Sequence, residues 1–552
     1  MKASDLFVRC LEAEGVRHIF GVPGEENADL MISLEDSDIN FVLCRHEQSA
    51  AFIADTYGRL TGTAGVCLGT LGPGATNLVT GVADANMDRS PVVVITGQAG
   101  TDRMHKESHQ HMDVVAMFRP ITKWAQTVQH ASTIPEVVRK AFKTAEAEKP
   151  GAVLIELPED LAESDTHGTP LPVSRTRRAA ADHKAVIQVV DALLAARNPI
   201  VLAGNGAVRK RASRQLQRFA DLTGIGVVNT FMGKGAVPRD DKHCLFTIGL
   251  QGGDYINSAI DEADLVITVG YDLVEYSPAY WNRGEPKPVV HIDFTPAEID
   301  QAYPVAVEVV SDIADALWQI NETLEQEHAD RLPLFDIAER ANLRSMIAED
   351  LAAEASDAGF PVKPQRILND ARAALGPADI VLSDVGAHKM WVARYYQCDE
   401  PNTCLISNGF CSMGFALPGA IGAKLARPES KVLAVCGDAG FLMNVQEIET
   451  AARLKLNIVI MVWVDGEYGL IKWKQQNQFD GRHSDLAFTN PDFEILAKAF
   501  GIWGHMIDGP NQLDDALAEA FAQPGPALLA VPVDYAENTK LTKRLGNLVC
   551  PI

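Results

Sequence analysis

Apolar runs of five to eight residues alternate with helix-like segments along the chain, and this alternation recurs in three blocks. The first block, to about residue 161, contains HIFGV, FVLCR, GVCLGT, PVVVITG and AVLIELP. The second, about 185–324, contains IVLAG, GVVNT, LVITVG and VVHIDF, and the third, from about 361, contains IVLSDVG, KVLAVCG, NIVIMVWV and ALLAVPV. Such alternation is typical of parallel sheets covered on both faces by helices. We therefore predict an α/β fold with three doubly wound parallel-sheet domains, at residues 1–165, 185–325 and 360–552.

Composition limits the kinds of partner. The 552 residues carry a net charge of −24, which disfavours nucleic acid because that ligand needs a concentrated basic surface. Nine cysteines occur without a C-x-x-C pair, so neither a disulfide framework nor a zinc site is expected. The start, MKASDLFVRCLEAEGV, resembles neither a signal nor a transit peptide, and no apolar run is long enough for a membrane span. We expect a cytoplasmic enzyme without nucleic-acid or membrane partners.

Two carboxylates in the third block follow neighbouring strand-like runs. The segment GDAGFLMNVQEIETAARLKLNIVIMVWVDGEYG, residues 437–469, places Asp438 after one buried run and Asp465, 27 positions later, after the next. Because parallel strands deliver ligands at their carboxyl ends, the two side chains should lie together. Gly437 and Gly440 let the backbone approach phosphate oxygens, and we predict a helix at about 444–454 that directs its amide groups at the same anion. Hard oxygen ligands beside a diphosphate indicate magnesium. The alternative is a Rossmann-like turn with ordinary surface acids.

A third carboxylate lies about 390 residues upstream, in VLCRHEQSAAFIADTYGRLTG. Glu47 ends a short apolar run and opens a helix containing the small residues Ala50, Ala51 and Ala54. An acid among such neighbours has little structural reason to be there, which favours a catalytic role. The alternative is a helix N-terminal carboxylate stabilised by the helix dipole.

These segments resemble the thiamine diphosphate signature, Gly-Asp-Gly followed by Asn-Asn, with Ala439 and Val464-Asp465 as departures. The resemblance extends from about residue 5 to about residue 540, through GVPGEEN, GTLGPGATNLVTGVADANMDRSPVVVITGQ, HQHMDVVAMFRPITKWA, SDVGAHKMW, SNGFCSMGFALPGAIGAKLA and VPVDYAEN. Together these segments are similar to the thiamine diphosphate-dependent acetolactate synthase family.

The resemblance implies specific roles for residues of this chain. Glu47 would bond the pyrimidine ring of the cofactor and, with Gln110, act in catalysis. Met413 would bend the cofactor, although plain core packing is the alternative reading. The implied magnesium ligands are Asp438, Asp465 and the backbone carbonyl of Glu467. The implied cofactor contacts are Pro23, Glu47, Gly72, Asn77, Val385, Gly386, His388, Cys411, Met413, Gly437, Asp438, Ala439, Gly440, Asp465, Tyr468 and Gly469. The implied substrate pocket comprises Val22, Gln98, His109, Gln110, Leu470 and Lys474, with a solvated loop as the alternative for the two glutamines.

The middle block bears on flavin. ADLVITVGYDLVEYSPAYWN, residues 263–282, is similar to the FAD-independent catabolic branch of the family. The biosynthetic branch carries an Arg-Phe-Asp-Asp-Arg sequence that residues 271–277 lack, so flavin is not expected. GNGAVRK, residues 204–210, lacks a third glycine and a placed ribose acid, which favours a plain strand-to-helix connection over a dinucleotide turn.

We predict an acetolactate synthase in which one pyruvate loses carbon dioxide and its two-carbon remainder joins a second pyruvate. Glu25 and Glu26 replace small residues of the family, Lys474 stands where the biosynthetic branch has tryptophan, and His109 often corresponds to Phe. The alternative is therefore a thiamine-dependent decarboxylase or carboligase for another 2-oxo acid or an aldehyde. An inactive scaffold is a further alternative, which Glu47, Asp438 and Asp465 disfavour.

Assembly follows from the resemblance as well. Glu47 and the diphosphate site lie in different domains, and in this family they meet across a subunit boundary. We expect a homodimer with active sites at its interface, paired into a homotetramer. His105, His109 and His111 lie close in sequence, but no cysteine or acid completes a zinc ligand set, so we expect a loop that lines the substrate channel.

Overall fold

The computed structural model describes residues 1–174, 178–250, 254–538 and 541. Within this part the strands form three six-stranded sheets, and every strand pairing within them is parallel. Helices cover the sheets, so the predicted α/β class with three parallel-sheet domains is confirmed. No helix in the described ranges is both long enough and apolar enough to cross a membrane.

The first sheet has the strand order β2-β1-β3-β4-β6-β5. Its strands are β1 His18–Gly21, β2 Asn40–Leu43, β3 Gly65–Gly69, β4 Val92–Gln98, β5 Trp124–Thr127 and β6 Ala152–Pro158. Its helices are α1 Ala3–Ala13, α2 Ala28–Glu35, α3 Glu47–Thr61, α4 Pro73–Met87, α5 Val114–Phe118, α6 Ile134–Glu146 and α7 Glu159–Glu163.

The second sheet has the strand order β12-β11-β10-β7-β8-β9. Its strands are β7 Pro199–Ala203, β8 Val227–Asn229, β9 Cys244–Thr247, β10 Leu265–Val269, β11 Val289–Asp293 and β12 Val305–Val310. Its helices are α8 His183–Ala195, α9 Lys210–Thr223, α10 Ser258–Asp261, α11 Pro278–Trp281 and α12 Ile313–Glu327, and α13 Ala341–Ala352 follows in the connection to the third domain.

The third sheet has the strand order β14-β13-β15-β16-β18-β17, which repeats the order of the first. Its strands are β13 Ile380–Ser383, β14 Cys404–Ile406, β15 Val432–Gly437, β16 Val459–Val464, β17 Trp503–Met506 and β18 Ala527–Pro532. Its helices are α14 Pro364–Ala374, α15 Ala387–Tyr395, α16 Ala416–Ala426, α17 Asp438–Met443, α18 Glu447–Arg453, α19 Gly469–Gln478, α20 Phe493–Ala499 and α21 Leu513–Phe521.

The predicted strand runs all form strands, and the remaining five strands lie at sheet edges. Those five are β5, β9, β12, β14 and β17. The helix after β15 differs from the prediction, because it begins at Asp438 itself and is interrupted after Met443 before α18 starts at Glu447. The first carboxylate of the pair therefore lies in the first turn of a helix.

The first and third domains share one apolar core. Helix α3 packs along α16, and the rings of Phe52 and Phe415 meet edge to face with centroids 5.7 Å apart. Polar contacts continue this interface: Ser407 Oγ donates to Asp84 Oδ1 at 2.6 Å, and the Asn408 amide donates to Asp88 Oδ2 at 3.1 Å. The two domains thus pack as a continuous unit within one chain.

The central sheet has the strand order of dinucleotide-binding folds, 3-2-1-4-5-6, in which ligands bind where the order reverses. That reversal lies between β7 and β10. Charged side chains of the first domain fill this crevice: Arg89 Nε lies 2.7 Å from Asp272 Oδ2, and Lys149 Nζ lies 3.2 Å from Asp293 Oδ2. The remaining cavity is only about 20 Å³.

Candidate cofactor site

The first half of the site is a carboxylate at the start of α3. Glu47 is the first residue of that helix and is 8% exposed. Its Oε2 accepts a hydrogen bond from Asn77 Nδ2 at 2.9 Å, and its Oε1 makes none within the described part of the chain. Gly74 faces this carboxylate, since a Cβ at Gly74 would lie 3.3 Å from Glu47 Oε1. The geometry leaves one oxygen available in a largely buried setting.

The start of α4 brings Gln110 to the same place. Gly72 precedes α4 with φ +50°, and a Cβ there would lie 2.6 Å from the carbonyl oxygen of Gln110. Only glycine allows this approach. Gln110 itself has φ +57° and is exposed. Because Gly72 contacts Gln110 while Gly74 faces Glu47, the two predicted catalytic residues lie around one helix end.

The loop after β1 forms another wall. Val22 is half-buried and Pro23 exposed, and Glu26 Oε2 accepts from Thr70 Oγ1 at 3.0 Å, whereas Glu25 points to the surface. Of the two unexpected acids, one is thus held within the first domain.

The second half of the site lies at the ends of β15 and β16. Asp438 is 1% exposed and collects four donors. Its Oδ2 accepts from the amides of Asp465 at 3.1 Å and Gly466 at 2.8 Å and from Asn490 Nδ2 at 2.7 Å, and its Oδ1 accepts from the Ala439 amide at 2.9 Å. The predicted juxtaposition of Asp438 with the turn at Asp465 therefore occurs.

Asp465 lies beside Asp438 with unfavourable charge. Burial and the neighbouring carboxylate of Asp438 raise the pKa of Asp465 to about 7. Gly469 makes room for it, because a Cβ there would lie 2.7 Å from Asp465 Oδ2. The Glu467 side chain pairs with Lys472, while its carbonyl accepts from the Gly469 amide at 2.9 Å. Only that carbonyl of Glu467, through its second lone pair, remains suited to a metal.

His388 forms the floor beneath the glycines of both turns. A Cβ at Gly386 or Gly437 would lie 2.8 or 3.0 Å from its Cε1. Burial lowers the pKa of His388 to about 3, so the ring is neutral. Its buried Nε2 has no hydrogen-bond partner. Gly440 likewise lies against Asp384, since a Cβ at Gly440 would lie 3.1 Å from Asp384 Oδ2.

The loop carrying Cys411 and Met413 is fastened to the end of β13. Both oxygens of Asp384 accept from the Gly414 amide, at 2.9 and 3.1 Å, and Oδ1 also accepts from the Val385 amide at 2.7 Å. Cys411 adopts φ +58°, and its Sγ accepts from Lys389 Nζ at 3.0 Å. Met413 is half-buried rather than part of the core. The loop is thus held by backbone contacts that leave these side chains at the edge of the site.

The first turn of α19 borders the two aspartates. Leu470 and Trp473 are buried, Lys474 is half-buried, and the exposed Tyr468 ring lies against Phe488 with centroids 5.4 Å apart. His109 on the first domain is exposed. The predicted substrate residues of the third domain thus lie on the first turns of α19, and His109 lies on the exposed surface of the first domain.

The two halves are linked inside the chain through α17 and α18. Glu447 Oε1 accepts from the amides of Arg45 and His46, at 3.0 and 3.1 Å, immediately before Glu47. Ser49 Oγ donates to Asn444 Oδ1 at 3.0 Å. These contacts lie beyond the far end of α17 from Asp438, and six helical residues span about 9 Å. Within the chain, Glu47 and Asp438 are therefore separated by the length of α17 and make no direct contact.

The side chains fit a divalent cation with a diphosphate. Two adjacent carboxylates repel each other unless a cation or proton lies between them, as the raised pKa of Asp465 records. Among the described residues, the buried His388 Nε2 and Asn490 Oδ1 lack partners. The glycines at 386, 437 and 440 place no side chains next to His388 and Asp384, which leaves the backbone of both turns accessible.

Comparisons with known proteins identify this arrangement. The chain matches three family models, described as the N-terminal TPP binding domain (residues 1–117), the central domain (186–320) and the C-terminal TPP binding domain (384–531) of thiamine pyrophosphate enzymes. It is 39% identical to the catabolic acetolactate synthase of Raoultella terrigena, with 98% of this chain and 97% of that protein aligned. The chain belongs to the acetolactate synthase family.

Other members of the acetolactate synthase family show similar coverage. Identity is 36% to the acetolactate synthase of Bacillus subtilis, over 99% of this chain and 97% of that protein, and 34% to the acetolactate synthase isozyme 2 large subunit of Escherichia coli, over 98% and 96%. The predicted family is therefore confirmed, and the carboxylate pair lies in the C-terminal TPP binding domain.

Four residues of the site were not predicted from the sequence. Asn490 and Asp384 bind the turns that carry Asp438 and Met413, and Glu447 and Asn444 hold the start of α3. Asn490 precedes a proline in a loop and thus reads as an ordinary turn residue. Glu447 and Asn444 act about 400 residues away along the chain, which no local pattern reveals.

Proposed function

We propose that the protein forms 2-acetolactate and carbon dioxide from two molecules of pyruvate, using thiamine diphosphate and Mg²⁺. The observation that carries this proposal is the convergence of Asp438 and Asp465 at the ends of β15 and β16. Its relatives named as acetolactate synthases, aligned over nearly the whole chain, supply the reaction class.

The residues of this chain act mainly by binding and orienting. Asp438, Asp465 and the Glu467 carbonyl would hold the metal, and the glycine-rich turns would leave room for the diphosphate. Glu47 Oε1, which has no partner among the described residues, would hold or release a proton at the pyrimidine ring. When bound, thiamine diphosphate supplies the electron sink for decarboxylation. Met413 would support the cofactor from beneath, and Gln110 would orient the substrate carboxylate beside Glu47.

The active unit of this proposal is a homodimer, paired into a homotetramer. Support comes from the separation of Glu47 and Asp438 within one chain and from the exposure of Gln110, His109 and Tyr468. A second copy would bring a first domain opposite each third domain. Light scattering of a fully active monomer would contradict this assembly.

Flavin has no place in the proposed mechanism. The crevice where dinucleotide-binding sheets hold a ligand retains about 20 Å³ and is crossed by ion pairs of Asp272 and Asp293. The purified protein should therefore lack the visible absorbance band of a bound flavin.

Product analysis with pyruvate as the only substrate tests the reaction. Acetolactate, detected as acetoin after acid treatment, supports the proposal, whereas acetaldehyde alone contradicts it. A second candidate is carboligation with a different 2-oxo acid or an aldehyde. An uncharged aldehyde is favoured by Glu26, which borders the site through Thr70 and would repel an anionic substrate, and a different 2-oxo acid is favoured by Lys474 in the first turns of α19. Competition between pyruvate and other 2-oxo acids distinguishes the two.

A further inference from the structure

The carboxamide of Gln98, the last residue of β4, uses all of its hydrogen-bonding capacity inside the first domain. Its Nε2 donates to the Met112 carbonyl at 3.1 Å and to Glu156 Oε1 at 2.7 Å. Its Oε1 accepts from the Ala99 amide at 2.8 Å and contacts His111 Nδ1 at 3.0 Å. The side chain is 1% exposed. It therefore offers no N–H group to a substrate and instead holds protein groups together.

Donor and acceptor types determine the orientation of this amide. The Met112 carbonyl and the Glu156 carboxylate only accept, so both must face the Gln98 NH₂ group. Oε1 then faces the Ala99 amide, and His111 must donate from Nδ1. Turning the amide over would place Oε1 against two acceptors, with the NH₂ group against the Ala99 N–H. Glu156, the Met112 carbonyl and the Ala99 amide together prevent the reversed orientation.

Glu156 is itself fixed by the sheet. It is 2% exposed in β6, and its Oε2 accepts from Thr127 Oγ1 of the edge strand β5 at 2.5 Å. Its backbone carbonyl accepts from the Val128 amide at 2.8 Å. The group that orients Gln98 is therefore buried and fixed by hydrogen bonds between neighbouring strands.

The two groups that Gln98 holds directly follow Gln110. His111 and Met112 are the next two residues of the chain, and Gln110 has φ +57°, a conformation that a residue other than glycine adopts only when its neighbours hold it. On its other side Gln110 contacts Gly72, beside the Glu47 pocket. Hydrogen bonds on one side and a close backbone contact on the other thus define where Gln110 lies.

We propose that Glu156 and Gln98 are positioning residues, which hold segment 108–112 so that Gln110 stays beside Glu47 for substrate binding. This inference rests on the proposed function, in which Gln110 lines the substrate pocket. Gln98 acts through Gln110 rather than by contact with substrate. Glu156 acts through Gln98.

The central experiment replaces the orienting carboxylate by its isostere, Glu156→Gln. The new side chain can offer Gln98 Nε2 only a neutral amide oxygen, so the charge-assisted hydrogen bond that holds Gln98 is lost while the Met112 and Ala99 contacts remain. We expect the KM for pyruvate to rise about three- to tenfold, the effect of one hydrogen bond, with kcat within about twofold. Hydrogen exchange of peptides covering residues 108–113 should become faster in the protein without substrate. Unchanged KM and unchanged exchange would overturn the inference.

Thr127→Val is the matched control. It removes the other hydrogen bond of Glu156 and leaves the contact with Gln98 intact. We expect Thr127→Val to lower the melting temperature about as much as Glu156→Gln does, because each variant weakens one hydrogen bond of Glu156. Its KM should stay within about twofold of the wild-type value. If both variants change KM equally, Glu156 has only a structural role in the sheet.

A double variant tests the donor–acceptor argument. Gln98→Glu alone places two carboxylates together and should raise KM more than Glu156→Gln does. Adding Glu156→Gln supplies a donor to the new carboxylate and should return KM toward the value of the Glu156→Gln single variant. No recovery would contradict the argument. Failure of the proposed function would be distinct, because the wild-type protein would then form no acetolactate.

Discussion

The first and third domains have the same strand order, yet they present opposite kinds of carboxylate. In the first, Glu47 has one side-chain donor and one oxygen without a partner in the described ranges. In the third, Asp438 has four donors and a second carboxylate beside it. The common topology determines that functional groups lie at the ends of strands. In the proposed function, the donors around each group suit Glu47 to exchange a proton and Asp438 to bind a cation.

The largest effect on turnover should come from replacing the Glu47 carboxylate of the first domain by an uncharged amide. Glu47→Gln keeps the shape of the side chain and its contact with Asn77 but cannot exchange a proton at the cofactor. Turnover should fall by about 10²–10⁴-fold while the Kd of thiamine diphosphate changes little. Steady-state kinetics and isothermal titration measure the two quantities. A turnover close to wild type would show that Glu47 does not transfer the proton.

The cation side should respond to loss of charge at Asp438. Asp438→Asn weakens the metal ligand and, with its oxygen kept toward the donors of Asp465, Gly466 and Asn490, leaves its NH₂ group facing the Ala439 amide. We expect Mg²⁺ affinity, measured with thiamine diphosphate present, to fall at least about 100-fold.

Asp465→Asn is the natural control, because the thiamine diphosphate signature has asparagine at that position. It keeps an oxygen ligand and removes the repulsion from Asp438, so affinity should stay within about fivefold. Equal losses in both variants would mean that total charge rather than ligand position governs binding.

A smaller effect is expected from the residue that orients Asp438. Asn490→Ala removes one of its four donors and leaves the ligand itself in place. Mg²⁺ affinity should fall about tenfold, the lower end of the range for groups that support a metal ligand. An unchanged affinity would indicate that the backbone amides of Asp465 and Gly466 hold Asp438 without help.

The smallest effect concerns a buried acid of the first domain that has no cation site. Asp55 is fully buried, its oxygens have no hydrogen-bond partners, and burial raises its pKa to about 6, with Asp88 adding to the rise against the opposing effect of Arg59. The folded state therefore binds this proton more tightly than the unfolded state, so stability falls as pH rises from about 4 to about 6.

The variant Asp55→Asn lacks this titration. Its melting temperature should exceed that of the wild type by about 1–3 °C at pH 8 and by less at pH 4.5. Thermal unfolding followed by circular dichroism at the two pH values measures the difference. An identical shift at both would mean that Asp55 keeps the same protonation state throughout.

Much of the fold could be predicted because the central strands are buried on both faces. Runs such as VVVITG and VIMVWV have no polar face, so the parallel sheet is evident from them. Edge strands were harder: β5 reads WAQT and β17 reads WGHM, with every residue half-buried, and neither is a continuous apolar run. Their place in the sheet depends on β6 and β18, which are their neighbours in space.

The site was predictable where chemistry follows a strand directly. Asp438, Asp465 and Glu47 each lie at such a point, and the sequence around them indicates their surroundings. Asn490 and Glu447 act from loops and helices that reach the site only after folding, and Gln98 is enclosed by partners at positions 112 and 156. Long-range partners of this kind leave no trace in local periodicity.

The ion pairs that fill the crevice of the central sheet limit how the first and second domains can move. Arg89 and Lys149 of the first domain reach Asp272 and Asp293 of the second at the one place where a nucleotide would otherwise separate them. These ion pairs join the second domain to the first. A hinge motion that separated the two domains would expose two cations and two anions at once. Substrate entry and product release should accordingly depend on movement of the loops around α4 and α19 rather than on rotation of whole domains.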